Sequence, residues 1–218
     1  MKTFVLNGWA ASERAWDLCH FRRDRIFNYI EQLDGMPETA VREEKDVILV
    51  GWSMGGSTTL RLAVAAPEKI RGIVLLATTA RMMQAPGWAG MSERRLEALE
   101  LGLKITHGEG FTPLPEGAPK PYMLDDDENL ARGLDYLHET DLREKLAGLC
   151  ASRRLQCPVY VFQSERDGIV RRENAEFLHT VFPQAIVEIV PGCEHALPVV
   201  IPGRIDAAVA ALTWPAPR

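Results

Sequence analysis

Three residues far apart in the chain have the types and the order that acyl-transfer chemistry needs. Ser53 stands in Gly51-Trp52-Ser53-Met54-Gly55, a G-x-S-x-G pattern, His195 in "PGCEHALP" and Asp167 in "SERDGIV". A serine hydroxyl is a weak nucleophile at neutral pH. It needs a base to take its proton, and the base needs an acid to orient it. Where the serine sits on a sharp strand-to-helix turn, the partners follow in the order serine, acid, histidine. The chain has five histidines. His20 precedes the serine, His107 and His138 fall in a helical insertion, and His179 lies inside an amphipathic helix. His195 remains as the base. Glu165 and Asp167 both follow the preceding strand. Asp167 is preferred because Gly168 permits a tight turn that directs its carboxylate inward. Glu165 stays open, since a glutamate can fill the same role.

The elements that must position these residues are legible as alternating patterns. Apolar runs at 3–7, 25–30, 46–50, 72–77, 158–163 and 185–190 read as buried strands. Helical spacing follows Ser53 as far as Pro67, and recurs over 171–183 and 202–214. The alternation predicts one α/β domain over 1–218, with a mostly parallel sheet of about six strands and helices on both faces. Residues 81–149 interrupt it with helical patterns at 91–105 and 126–139 around a proline-rich loop at 112–122. Such an insertion would form a short helical cap over the crevice where open α/β sheets bind ligands.

Ser53 thus follows a strand and precedes a helix, the setting of a nucleophile elbow. The turn crowds the positions two before and two after the serine, so both take glycine. The backbone N–H of Met54 would supply one donor of an oxyanion hole. The second would come from the loop after the first strand, "FVLNGWAAS", at Trp9. Trp9 would also offer an apolar wall.

Composition bounds the alternatives. The chain has 218 residues, 46% of them hydrophobic and 25% charged, with a net charge of -5. That balance argues against a general nucleic-acid binder. The four cysteines, Cys19, Cys150, Cys157 and Cys193, lack metal-site spacing and read as free thiols in a reducing compartment. Neither a signal peptide nor a membrane-spanning run is evident. The expectation is a cytoplasmic monomer that needs no metal or cofactor and engages no membrane.

The motifs "NGWAASERAWD", "VGWSMGG", "PEKIRGIVLLATTARMMQAPGWAGM", "ETDLREKL", "RDGIV" and "GCEHALP" resemble those of α/β-hydrolases. More narrowly, they resemble the pimeloyl-[acyl-carrier-protein] methyl ester esterases of biotin synthesis. The resemblance implies the α/β-hydrolase fold and a catalytic triad of Ser53, Asp167 and His195. It implies an oxyanion hole from the N–H groups of Trp9 and Met54, with Trp9, Ser53, Met54 and His195 touching the substrate. The reaction would release methanol from pimeloyl-carrier protein methyl ester.

Three departures from that family stand out. Asn7 replaces a histidine, one covering helix looks shortened to a turn around Pro37–Glu43, and the cap is short. By the same resemblance, basic cap residues would dock the acidic carrier protein, with Arg94, Arg95, Lys104 and Arg132 as candidates. Glu93, Glu97 and Glu100 are interleaved among them, which favours a solvated face. Met82, Met83, Trp88 and Phe111 would line an acyl channel or fill the cap core. Two rivals remain: a small-ester hydrolase or thioesterase on the same scaffold, and a binding protein that has lost turnover.

Overall fold

Six strands pair side by side, all parallel, in the order β2-β1-β3-β4-β5-β6. The computed structural model describes residues 1–106 and 112–213. In chain order the elements are β1 (Lys2–Leu6), β2 (Arg25–Phe27), α1 (Tyr29–Leu33), α2 (Met36–Glu43), β3 (Val47–Trp52), α3 (Met54–Ala65) and β4 (Ile70–Leu76). There follow α4 (Glu93–Thr106), α5 (Asp127–Glu139), α6 (Arg143–Ser152), β5 (Val159–Ser164), α7 (Glu173–Val181), β6 (Ile186–Val190), α8 (Leu197–Val200) and α9 (Pro202–Thr213).

Every residue of β3 is buried, because both faces of the sheet are covered. Its side chains alternate between two cores, as the period of a strand requires. Ile48, Val50 and Trp52 join Leu96, Leu103, Leu130 and Leu137 from α4 and α5, and Ile205, Val209 and Leu212 from α9. Val47 and Leu49 join Leu60 and Leu62 of α3, Leu146 and Leu149 of α6, and Leu178 of α7. Each such side chain contributes about 1.5–3 kcal/mol by leaving water.

The chain runs outward from β1 to β2, then returns across β1 to place β3 on its other side. Strand order therefore reverses between β1 and β3. The loops leaving their carboxyl ends part there and open a crevice. The Gly8–Trp9 turn and Ser53 both leave the sheet at that point.

Two sequence expectations need correction. The strand expected over 25–30 ends at Phe27, and α1 begins at Tyr29. Asn28 and Glu31 form a capping box, each side chain accepting the other's backbone N–H at 2.9 Å. The apolar run continued because Tyr29 and Ile30 open the helix that the box starts. The turn expected around Pro37–Glu43 is instead the two-turn helix α2. Pro37 lies in its first turn, where a missing N–H costs nothing. Among the described residues, no helix is long and apolar enough to cross a membrane. His107, Phe111 and Trp214 lie outside the described residues.

Candidate active site

Ser53 has φ 56° and ψ −121°, a strained conformation for any residue with a side chain. Its amide is held by the Leu76 carbonyl at 2.9 Å. The neighbouring glycines let the chain turn there. A Cβ on Gly51 would lie 2.6 Å from the Gly55 carbonyl oxygen, and one on Gly55 would run into the Leu6 carbonyl. The turn presents the serine oxygen above the carboxyl end of β3 and starts α3 at Met54.

His195 arrives from the loop after β6 and is 2% exposed. Its Nε2 lies 2.8 Å from Ser53 Oγ, and its Nδ1 lies 2.8 Å from Asp167 Oδ2. The second Asp167 oxygen accepts the amides of Ile169 (2.8 Å) and Val170 (2.9 Å). These bonds fix the carboxylate so that one oxygen faces the imidazole. With Nδ1–H donated to Asp167, Nε2 is the acceptor for the serine proton, the arrangement a general base requires. Glu165 points elsewhere: its Oε2 accepts the Gly192 amide at 2.9 Å.

The loop after β1 passes close to the serine, where a Cβ on Gly8 would lie 3.2 Å from Ser53 Cβ and 3.7 Å from Oγ. Among the described residues, neither the Trp9 amide nor the Met54 amide has an acceptor. The first amides of a helix have none within it, so Met54 N–H is available to an incoming oxygen. Asn7 turns away from the site. Its Oδ1 accepts Trp16 Nε1 at 2.5 Å, and its carbonyl accepts Gln32 Nε2 at 2.9 Å. It supports the loop rather than the reacting centre.

The alpha/beta hydrolase family model matches residues 7–208, a span that takes in every residue of this constellation. The chain belongs to the alpha/beta hydrolase family. Among its curated relatives is the pimeloyl-[acyl-carrier protein] methyl ester esterase of Yersinia pseudotuberculosis serotype IB, 22% identical over 227 residues, covering 88% of this chain and 85% of the relative. The protein of the same name from Salmonella paratyphi A is 23% identical and covers 88% and 86%. A hydrolase from Oleispira antarctica superposes with a TM-score of 0.72 at 15% identity, covering 97% of this chain and 90% of the other. An esterase from Exiguobacterium antarcticum gives 0.70 at 16%, covering 97% and 91%. The structural likeness speaks for the fold.

In this alpha/beta hydrolase, the cavity at Ser53 is walled by Trp9, Trp52, Met82, Leu99, Tyr122 and Leu137, with Ile169 beside Asp167. Leu99 and Leu137 come from α4 and α5, so these helices roof the site. The cavity measures about 10 Å³, room for about one water. Sequence reasoning found Met82 but not Leu99, Tyr122, Leu137 or Ile169. Their signal is weak, being apolar residues on amphipathic helices or in loops. Met83 is buried away from the cavity. Trp88 packs edge-on against Phe177 at 5.0 Å and donates to the Arg81 carbonyl.

The cationic candidates on the hydrolase's roof are mostly engaged. Arg95 Nη2 donates to the Gly168 carbonyl at 2.7 Å. Lys104 pairs with Glu100 and Asp127, both at 2.8 Å, and Arg132 pairs with Asp34 at 2.6 Å. Among the described residues, Arg94 has no ion-pair partner.

Proposed function

We propose that this chain is a serine carboxylesterase that hydrolyses the methyl ester of pimeloyl-acyl carrier protein in biotin synthesis. The observation that carries the esterase reading is the Ser53–His195–Asp167 chain of hydrogen bonds, 2.8 Å at each link. The substrate rests on the names of the curated relatives. All three residues come from one chain, so a monomer suffices. The reading assigns the protein to the cytoplasm, and residues 81–149 act as a short cap within a single domain.

In this mechanism Ser53 Oγ attacks the ester carbonyl carbon while His195 Nε2 takes its proton. Asp167 holds the imidazole in the required tautomer and stabilises its cation. The carbonyl oxygen becomes an oxyanion and accepts the amides of Trp9 and Met54, a contribution of about 3–4 kcal/mol per donor in such sites. The tetrahedral species collapses, the C–O bond to methoxide breaks, and His195 protonates the leaving oxygen to give methanol. Water then attacks the acyl-serine with His195 as base. The acyl–Oγ bond breaks, the proton returns to Ser53, and free pimeloyl-carrier protein leaves.

The test has two parts. Ser53→Ala should abolish hydrolysis of a p-nitrophenyl ester and labelling by a fluorophosphonate, both present in the wild type. Unchanged turnover in the variant would overturn the mechanism. Purified protein should also release methanol from pimeloyl-carrier protein methyl ester and restore biotin-free growth to a strain lacking that esterase. A second reading, a hydrolase of free small esters or thioesters, draws support from the internal partners of Arg95, Lys104 and Arg132. Activity on simple esters with failure on the carrier substrate would select it.

A further inference from the structure

The loop carrying His195 is fastened unevenly. Four hydrogen bonds tie it and the last residue of β6 to residues 164–166, the segment that leads from β5 into Asp167. Glu165 N donates to the Val190 carbonyl (3.0 Å) and Arg166 N to that of Cys193 (3.1 Å). Ser164 Oγ donates to the Glu194 carbonyl (2.6 Å), and Glu165 Oε2 accepts the Gly192 amide (2.9 Å). These bonds set the histidine against its acid. They do not set it against the nucleophile, which belongs to β3 and α3.

One side chain makes that second connection. Trp52, the residue before Ser53, donates its indole N–H to the His195 carbonyl at 2.9 Å. The same carbonyl accepts Leu197 N at 2.9 Å, a local bond that travels with the loop. Apart from the Ser53–His195 contact itself, the Trp52 bond is the one hydrogen bond between residues 191–196 and β3–α3 among the described residues. The Trp52 ring is fully buried and packs against Tyr122 (centroids 5.5 Å apart) and the His195 imidazole (5.9 Å). A ring held on both counts has little freedom to swing the N–H away.

We infer that Trp52 is the positioning residue that sets the distance between His195 Nε2 and Ser53 Oγ, through its indole N–H rather than its bulk. This rests on the esterase reading. The elbow needs glycines and a serine, and any residue could precede that serine unless its side chain has a task. Without the N–H, those four ties to residues 164–166 remain, so the His195–Asp167 bond survives. The Ser53–His195 bond loosens.

The test replaces Trp52 by β-(3-benzothienyl)alanine, which keeps the ring shape and puts sulfur where the N–H was. Trp52→Phe serves as a second variant. The benzothienyl protein should lose about 10- to 100-fold in kcat on a p-nitrophenyl ester, with KM within about twofold because the cavity wall is unchanged. Its rate of fluorophosphonate labelling should fall by the same factor. In ¹⁵N NMR of the resting protein, the His195 Nε2 signal should shift while Nδ1 keeps its hydrogen-bonded position. Wild-type kcat and an unmoved Nε2 signal in the benzothienyl variant would overturn the inference. If the wild type neither turns over esters nor labels, the esterase reading fails, and the imidazole signals still decide whether Trp52 positions His195.

Discussion

The indole of Trp9 lies directly against Gly133 of α5, so close that an added Cβ would run into Cδ1 and come within 2.7 Å of Nε1. The same Nε1 donates to the Leu130 carbonyl at 3.1 Å. The loop proposed to supply an oxyanion donor is thus seated on a roof helix. Gly133→Ala should push α5 and the Trp9 loop apart. We expect a stability loss of about 1–3 kcal/mol and a fall in kcat of about tenfold or more, measured by thermal unfolding and ester hydrolysis. Gly148→Ala on α6 is the control, because a Cβ there meets nothing within 4 Å. It should stabilise by about 0.5–1 kcal/mol and leave kcat alone. Equal behaviour of the two variants would remove the special role of the Trp9–Gly133 contact.

Asp167 and Glu165 divide two tasks that the sequence left shared. Asp167→Asn leaves His195 with the wrong tautomer and should cost about 10³- to 10⁴-fold in kcat. Glu165→Gln keeps an oxygen for the Gly192 amide and should change kcat by less than about threefold. A kinetic comparison of the two on one p-nitrophenyl ester decides the assignment. The reverse ranking would transfer the acid to Glu165.

The two stems of the insertion are clamped by Asp141. Its carboxylate accepts both Arg143 (2.9 and 2.7 Å) and Arg81 (2.6 Å). Hydrogen bonds from Arg143 first, then from Arg81, hold this carboxyl well below its ordinary value of 3.8. A carboxyl lowered on folding stabilises the native state above its unfolded value, and that stabilisation drains as pH falls through the folded one. Asp141→Asn should therefore lower Tm at neutral pH. The gap from wild type should hold down to about pH 4 and shrink below it. Thermal unfolding across that range reads this directly. A gap independent of pH would assign the loss to packing instead of charge.

The sequence by itself determined the parts whose cause is local. Six apolar runs of strand length gave a parallel sheet, and Gly51 and Gly55 marked a turn that only glycines permit. Chain order pointed to Ser53 and His195 and left Asp167 and Glu165 both eligible, with Gly168 favouring Asp167; the side chains that meet at 2.8 Å are those of Ser53, His195 and Asp167. Local reading failed where a capping box cut an apolar run at Asn28, and where the stretch read as a turn around Pro37–Glu43 forms a helix with Pro37 in its first turn. The tertiary structure alone decided how the site is braced and closed. The Trp52–His195 bond joins residues 143 apart in sequence, and Trp9–Leu130 joins residues 121 apart. The physical reason is that a tryptophan's apolar bulk leaves a local pattern, whereas the carbonyl its N–H will meet depends on which loops the folded sheet brings together.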